Sequence, residues 1–159
     1  MRKIFLTALF VMMMSAATAL AAGWEQIYTD DNDNMIYFDT DTVKITEQMG
    51  NSTEFSAAFC MRYSDKGRNA LIDWYRDYSI MPRDIQSLSY DIATIYFRKS
   101  GDKREYYISE RVSYTADGRS LEDMHFVNTN PMWEIIPVGS VVEVEYYNAL
   151  LVAEGKDFN

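Results

Sequence analysis

Apolar and polar residues alternate along much of this chain, which is the period of a half-buried β-strand. In the clearest segment, 52–63, one face is apolar and the other is mixed. The apolar face is formed by Phe55, Ala57, Phe59, Met61 and Tyr63. This pattern predicts a strand of an antiparallel sheet that rests one face on the core and leaves the other partly open.

Similar patterns predict further strands, which polar or glycine-containing segments separate. We expect these strands over 24–28, 35–38, 43–46, 87–99, 106–114 and 119–127. The Asp117-Gly118 pair favours a tight hairpin turn, because Asp and Gly adopt the positive φ angles that such a turn requires. The segment 39–42 is expected to break the second strand, which then resumes or gives way to a short third one.

One segment in the middle of the chain has the spacing of a helix. Apolar residues recur at helical intervals between Leu71 and Tyr78, with charged residues between them. The segment follows a polar stretch over 65–69, which we expect to be a loop, and Pro82 is expected to end it. The prediction is a short helix or an irregular segment between two strands.

A second helix is predicted near the end of the sequence. Ser140, followed three residues later by Glu143, forms a capping box, and Gly155 is a typical helix stop. The expected apolar stripe of this helix consists of Val141, Val144, Tyr147 and Leu151. Together the elements predict the α+β class, an antiparallel sheet of about five to six strands with a C-terminal helix packed on one face.

The first residues have the pattern of a cleavable signal peptide. Met1-Arg2-Lys3 is basic, an uncharged apolar run follows, and Ala19-Leu20-Ala21 supplies the small residues that the peptidase accepts. We therefore expect a signal peptide over 1–21, a single domain over 22–159, and a periplasmic or cell-surface location. An uncleaved anchor is the alternative, but the alanine-rich second half of the segment is weakly apolar for a membrane span. No cysteine lies near the cleavage site, so no lipid anchor is expected.

Charge narrows the classes of partner. The 159 residues include 24 acidic and 15 basic side chains, for a formal net charge of −9. Nucleic acid and anionic lipid are disfavoured, because both require clustered Lys and Arg. The length suits one domain, and 12 Tyr, 8 Phe and 3 Trp indicate a folded core and not a disordered chain.

Groups that carry out catalysis are scarce in this sequence. Cys60 is the only cysteine, and we expect it to be buried as a small hydrophobe, although pairing with another chain, and so a homodimer, stays open. The only histidine, His125, is expected on a strand and has no nucleophile motif nearby. We predict no enzymatic activity and no cofactor. A small metal-dependent hydrolase that uses His125 with Glu122 or Asp123 stays as an alternative.

One acidic turn resembles the opening of a calcium-binding loop. Asp30, Asn32 and Asn34 have the right spacing, and Asp41 falls at the twelfth position. However, Met35 stands where such a loop needs glycine for its sharp bend. We therefore interpret this segment as a polar hairpin turn.

The aromatic residues are the remaining candidates for recognition. Tyr and Trp provide large contact areas at low entropy cost, so several of them together could form an exposed binding face. The candidate protein-binding residues are Trp74, Tyr75, Tyr78, Tyr106 and Tyr107, with Tyr146 and Tyr147 as further members of the face. The alternative is that these residues pack in the core and on the sheet.

Three short motifs, in this order, resemble the bacterial surface-adhesin E-like family. They are 24–28 with 37–43, the turn 114–118, and the segment 133–143, which contains Trp133, Pro137, Ser140 and Glu143. The resemblance implies an antiparallel sheet with a C-terminal helix, a surface or periplasmic location, and binding to host matrix or plasma proteins. The chain departs from the family in lacking a cysteine within 149–152.

The resulting expectation is an exported, non-enzymatic binding protein that resembles a surface adhesin. Its partner would be a protein of the host extracellular matrix or plasma. The alternative is a periplasmic envelope-accessory protein with no host role. The motifs are structural ones, namely strand pairing, a turn and a helix cap, so the resemblance assigns no binding residue.

Overall fold

The computed structural model describes residues 23–156, so the predicted signal peptide over 1–21 lies outside the described residues. Across these residues one antiparallel sheet of seven strands is formed: six follow the order β1-β2-β3-β4-β5-β6, and β7 pairs beside β6 on the outer edge of β5. The strands are β1 (Trp24–Thr29), β2 (Met35–Met49), β3 (Ser52–Arg62), β4 (Leu88–Ser100), β5 (Lys103–Thr115), β6 (Phe126–Val127) and β7 (Glu134–Ile135). The predicted α+β class is confirmed.

Within the described residues, two α-helices accompany the sheet: α1 (Asp65–Asp77) and α2 (Val141–Ala153). Short 3-10 turns occupy Ile85–Ser87 and Glu122–Met124. Helix α2 packs across β1, β2 and β3, on the face that the sequence predicted to be core. Within residues 23–156, no helix has both the length and the apolar character that crossing a membrane requires.

The core lies between α2 and one face of the sheet. Its buried members include Phe38, Phe55, Ala57, Phe59, Ile95, Phe97, Ile136, Tyr146 and Ala149. Phe38 stacks on Phe59 with ring centroids 5.1 Å apart, and the ring of Tyr146 lies 5.9 Å from that of Phe55. The predicted inward face of the segment 52–63 is therefore confirmed for Phe55 and its neighbours.

Helix α2 presents a different stripe to the sheet from the one expected. Tyr146 is only 1% exposed and Ala149 is fully buried, whereas Tyr147 is 47% exposed and Leu151 is also exposed. The prediction of the stripe is wrong because α2 is apolar on nearly all sides, so residue spacing alone could not select the buried face.

Helix α1 begins earlier than expected, because Ser64 caps it and the predicted loop over 65–69 is its first turn. The Ser64 hydroxyl accepts a hydrogen bond from the Gly67 amide (2.9 Å) and donates one to the Asn32 carbonyl (2.6 Å). The Ser64 amide donates to the Asn34 side-chain oxygen (3.0 Å). These bonds hold the start of α1 against the turn between β1 and β2.

Two strand predictions also need correction. The long strand expected over 119–127 is instead a 3-10 turn followed by the two-residue β6, because Leu121 turns inward and is buried. Asp123 then accepts hydrogen bonds from the backbone amide and side chain of Arg83, which holds this segment away from the ladder. The break expected at 39–42 is a shift in the register between β2 and β3, and β2 continues past it.

Candidate functional site

Three of the five candidate binding residues come together at the C-terminal end of α1. The Trp74 ring lies 5.0 Å from the Tyr75 ring and 4.7 Å from the Tyr78 ring, measured between centroids. Trp74 is 51% and Tyr78 is 60% exposed, and the two residues that follow closely, Ile80 and Met81, are exposed as well. We call Trp74, Tyr78, Ile80 and Met81 the aromatic patch.

The other two candidates lie on opposite faces of β5. Tyr106 packs against the core cluster on the face that α2 covers. Tyr107 points the other way, where it stacks on Tyr96 with centroids 5.0 Å apart and meets Trp133 edge-on at 4.7 Å. The expected single recognition face is therefore wrong, because neighbouring residues of a strand point to opposite sides of the sheet and Tyr146 is buried in the core.

The second face of the sheet is lined by half-buried side chains. Arg98 lies 4.4 Å above the Trp133 ring and pairs with Glu105 at 2.7 Å. Lys103 and Arg98 lower the pKa of Glu105 by hydrogen bonding to its carboxylate. Cys60 is fully buried beneath this face, as predicted, and burial raises the pKa of its thiol to about 12. A thiol of that kind is not reactive at neutral pH.

A cleft on the helix-covered face brings charged residues of β4, β5 and α2 around one space. Three neighbouring cavities of about 140, 250 and 370 Å³ share Arg111 in their lining. The smallest reaches α2 at Glu145, and the largest reaches α1 at Leu71 and Tyr75. We call this the interhelix cleft. The strand residues Asp91 and Arg111, and Tyr63, which follows β3, line both its smallest and its largest cavity.

Asp91 is a buried carboxyl group in the interhelix cleft, with only 5% of its surface exposed. Its Oδ2 accepts a hydrogen bond from the Tyr63 hydroxyl at 2.8 Å, while its Oδ1 has no hydrogen-bond partner among residues 23–156. Burial raises the pKa of Asp91, and the hydroxyls of Ser113 and Tyr63 together with the charge of Arg111 oppose that rise. Burial and the neighbouring Asp91 charge also raise the pKa of Tyr63.

Glu145 lies across the smallest cavity on α2 and is 6% exposed. Within the described part of the chain it makes no hydrogen bond and no ion pair, and only the more distant charge of Arg111 favours its ionised form. Burial raises the pKa of Glu145 to about 8. The free side chain is therefore mostly protonated at neutral pH.

The metal-dependent hydrolase kept as an alternative and the resemblance to a calcium-binding loop receive no support. His125 lies 2.9 Å from the Glu110 carboxylate on the surface, and Asp123 pairs with Arg83. Between residues 23 and 156, no group of three or more His, Cys, Asp or Glu side chains is placed to hold a metal ion. In the turn 30–34, the Asp30 carboxylate accepts hydrogen bonds from the amides of Asn32 and Asn34, as the polar-turn interpretation requires.

No family model, curated protein or solved structure matches this chain. The likeness to the surface-adhesin E-like family therefore stays a prediction that rests on the three sequence motifs.

The interhelix cleft was missed at the level of sequence. Its signals were an acidic residue, Glu145, inside an apolar helix and another, Asp91, inside an apolar strand. Buried acidic residues are rare unless paired, so an acidic residue within an apolar segment indicates a polar site in the interior. The pairing of distant segments was needed to place Glu145, Asp91 and Arg111 around one space.

Proposed function

We propose that this chain is an exported, non-enzymatic binding protein that engages a protein partner through the aromatic patch. The observation that carries the proposal is the exposure of Trp74 and Tyr78 side by side on α1. Tyr and Trp are the residue types most enriched among those that dominate binding energy at protein interfaces. An exposed cluster of this composition typically marks an interaction site.

The charge of the chain indicates the kind of partner. A net charge of −9 attracts a protein with a basic surface and speeds its encounter. Arg76 beside the patch is already paired with Asp73, whereas Asp77 has no ion pair within residues 23–156. A host matrix or plasma protein with a basic region is the partner we propose, in line with the adhesin-like motifs.

Binding to immobilised matrix and plasma proteins tests the proposal. We expect saturable binding by the purified exported protein that weakens as the salt concentration rises. The double variant Trp74→Ala/Tyr78→Ala should lose at least about thirtyfold in affinity, because even one truncation at an interface centre costs about 2 kcal/mol or more. Ile135→Ala is the matched control, since Ile135 is exposed on β7 away from the patch.

Two results would count against this function. Absence of saturable binding to every matrix and plasma protein would contradict the adhesin-like role. Equal losses in the Trp74→Ala/Tyr78→Ala and Ile135→Ala proteins would remove the patch as the binding surface. Labelling of intact cells separates the host-binding role from the periplasmic accessory role, because only the former requires that the protein be accessible from outside.

A further inference from the structure

Two buried acceptors in the interhelix cleft lack donors. An ionised carboxylate accepts hydrogen bonds but cannot donate them. A buried acceptor without a donor lowers the stability of the folded protein. Oδ1 of Asp91 is a fully buried atom without a donor within residues 23–156, and the carboxyl group of Glu145, a residue that is 6% exposed, makes no hydrogen bond among those residues. Both residues line the same cavity of about 140 Å³. A group that fits this cavity and brings N–H donors would satisfy both.

Charge selects the class of donor. Asp91, Glu145 and Arg111 are the charged or chargeable groups that line the smallest cavity, together with the Tyr63 hydroxyl. With both carboxyl groups ionised, Arg111 compensates one negative charge and leaves one uncompensated. Arg111 makes no ion pair within the described residues and its side chain is exposed. One additional cation would therefore neutralise the smallest cavity, and an ammonium group supplies three donors.

The rest of the lining limits the size and polarity of the ligand. Apart from these groups, the smallest cavity is lined by Phe59, Met61, Ala93, Ile95, Ile108, Val141 and Val142. These apolar side chains favour a hydrocarbon portion over a second polar group. A volume of about 140 Å³ corresponds to roughly four or five water molecules in the liquid. A ligand of about that many non-hydrogen atoms fits the cavity.

We propose that the interhelix cleft binds a small primary amine in its protonated form, whose ammonium group donates hydrogen bonds to Glu145 and Asp91. The hydrocarbon portion lies against Phe59, Ala93 and Ile95. This site is separate from the aromatic patch, and it is an additional binding activity that does not depend on the protein partner.

Binding also moves a proton at Glu145. The side chain is mostly protonated in the free protein at pH 7, because burial raises its pKa to about 8. An ammonium group favours the ionised carboxylate, so the ligand displaces the proton to the solvent. We expect the apparent affinity to increase about tenfold per pH unit between pH 6 and 7, as for any equilibrium that releases one proton.

Calorimetric and NMR titration of the purified protein with n-butylammonium chloride tests the proposal. We expect saturable binding, amide shift changes centred on residues 91, 111 and 145, and proton release measured by comparing buffers of different ionisation enthalpy. Sodium butyrate and n-butanol, which match the amine in size, should not bind. Glu145→Gln should weaken binding at least about tenfold, because the amide oxygen can still accept a hydrogen bond but the negative charge that strengthens the bond to the ammonium group is lost.

The controls separate this site from the proposed function. Glu47→Gln removes an exposed acid from β2 and should leave amine binding unchanged. Trp74→Ala/Tyr78→Ala should also bind the amine normally, and Glu145→Gln should still bind the protein partner. No saturable binding of n-butylammonium would overturn the proposal. So would equal binding of butyrate or butanol, shift changes centred elsewhere, or unchanged affinity in the Glu145→Gln protein.

Discussion

Helices α1 and α2 both border the interhelix cleft, but they are attached to the sheet in different ways. Helix α2 buries Tyr146 and Ala149 in the aromatic core. Helix α1 buries only Gly67 and Ile72 and is held at its first turn by the hydrogen bonds of Ser64. Its far end carries the aromatic patch, which is exposed. The difference indicates that α2 maintains the fold, whereas α1 presents a surface.

The largest expected effect concerns the buried acid of α2. Glu145 has a folded-state pKa of about 8 against an ordinary value of 4.5. Between pH 4.5 and about 8, folding is therefore accompanied by protonation of Glu145. The stabilisation from this proton uptake is complete below pH 4.5 and is lost as the pH rises through about 8. Relative to Glu145→Gln, the wild-type protein should lose roughly 4–5 kcal/mol of unfolding free energy between pH 4.5 and 9.

Urea unfolding of both proteins across this pH range measures that difference. Other titrating groups are shared by the two proteins and cancel in the comparison. Parallel stability profiles for the wild-type and Glu145→Gln proteins would show that Glu145 is not buried as an isolated carboxyl group.

A second prediction compares two neighbouring tyrosines of α2. Tyr146→Ala should lower the unfolding free energy by about 4 kcal/mol, because the ring fills the core beside Phe55 and Phe97. Tyr147→Ala should cost less than about 1 kcal/mol, since Tyr147 is largely exposed. Thermal and chemical unfolding measure both. Similar losses in the two variants would contradict the register of α2.

A third prediction tests how α1 is attached. A Cβ atom at Gly67 would lie 1.8 Å from the Asn34 side-chain oxygen, so the Asn34 side chain must shift and lose its hydrogen bond from the Ser64 amide to accept alanine. We expect Gly67→Ala to cost about 2 kcal/mol, although alanine is the better helix former by about 1 kcal/mol. A lower unfolding free energy in Gly67→Ala would therefore indicate the close contact with Asn34, whereas a higher one would contradict it. Asn69→Ala, at an exposed position of the same helix, should be neutral or slightly stabilising in the same unfolding assay.

The smallest effect on stability is expected at the other end of α1. Trp74→Ala/Tyr78→Ala should change the unfolding free energy by less than about 1 kcal/mol, because both side chains are exposed. The melting temperature of the double variant measures this. A loss comparable to that of Tyr146→Ala would mean that the patch contributes to the core, and the contrast between α1 and α2 would then disappear.

The strands were more predictable than the helix contacts. The segment 52–63 alternates strongly, and a strand has only two faces, so the inward residues Phe55 and Phe59 followed from the pattern. Asp91 and Arg111 also alternate with apolar residues, but their approach to Glu145 depends on how β4 and β5 pair and on where α2 lies over the sheet. Contacts between segments so far apart in the chain leave no recognisable pattern within either segment.

The sequence by itself determined the α+β class, the main strands, the start of α2 at Ser140 and the burial of Cys60. These features follow from local periodicity and capping, which act over a few residues. The tertiary structure decided which side of α2 is buried, where α1 begins and where the candidate residues lie. An apolar helix can rest on any side, so only packing against Phe55 and Phe97 selects Tyr146 and, with it, buries Glu145 beside Asp91.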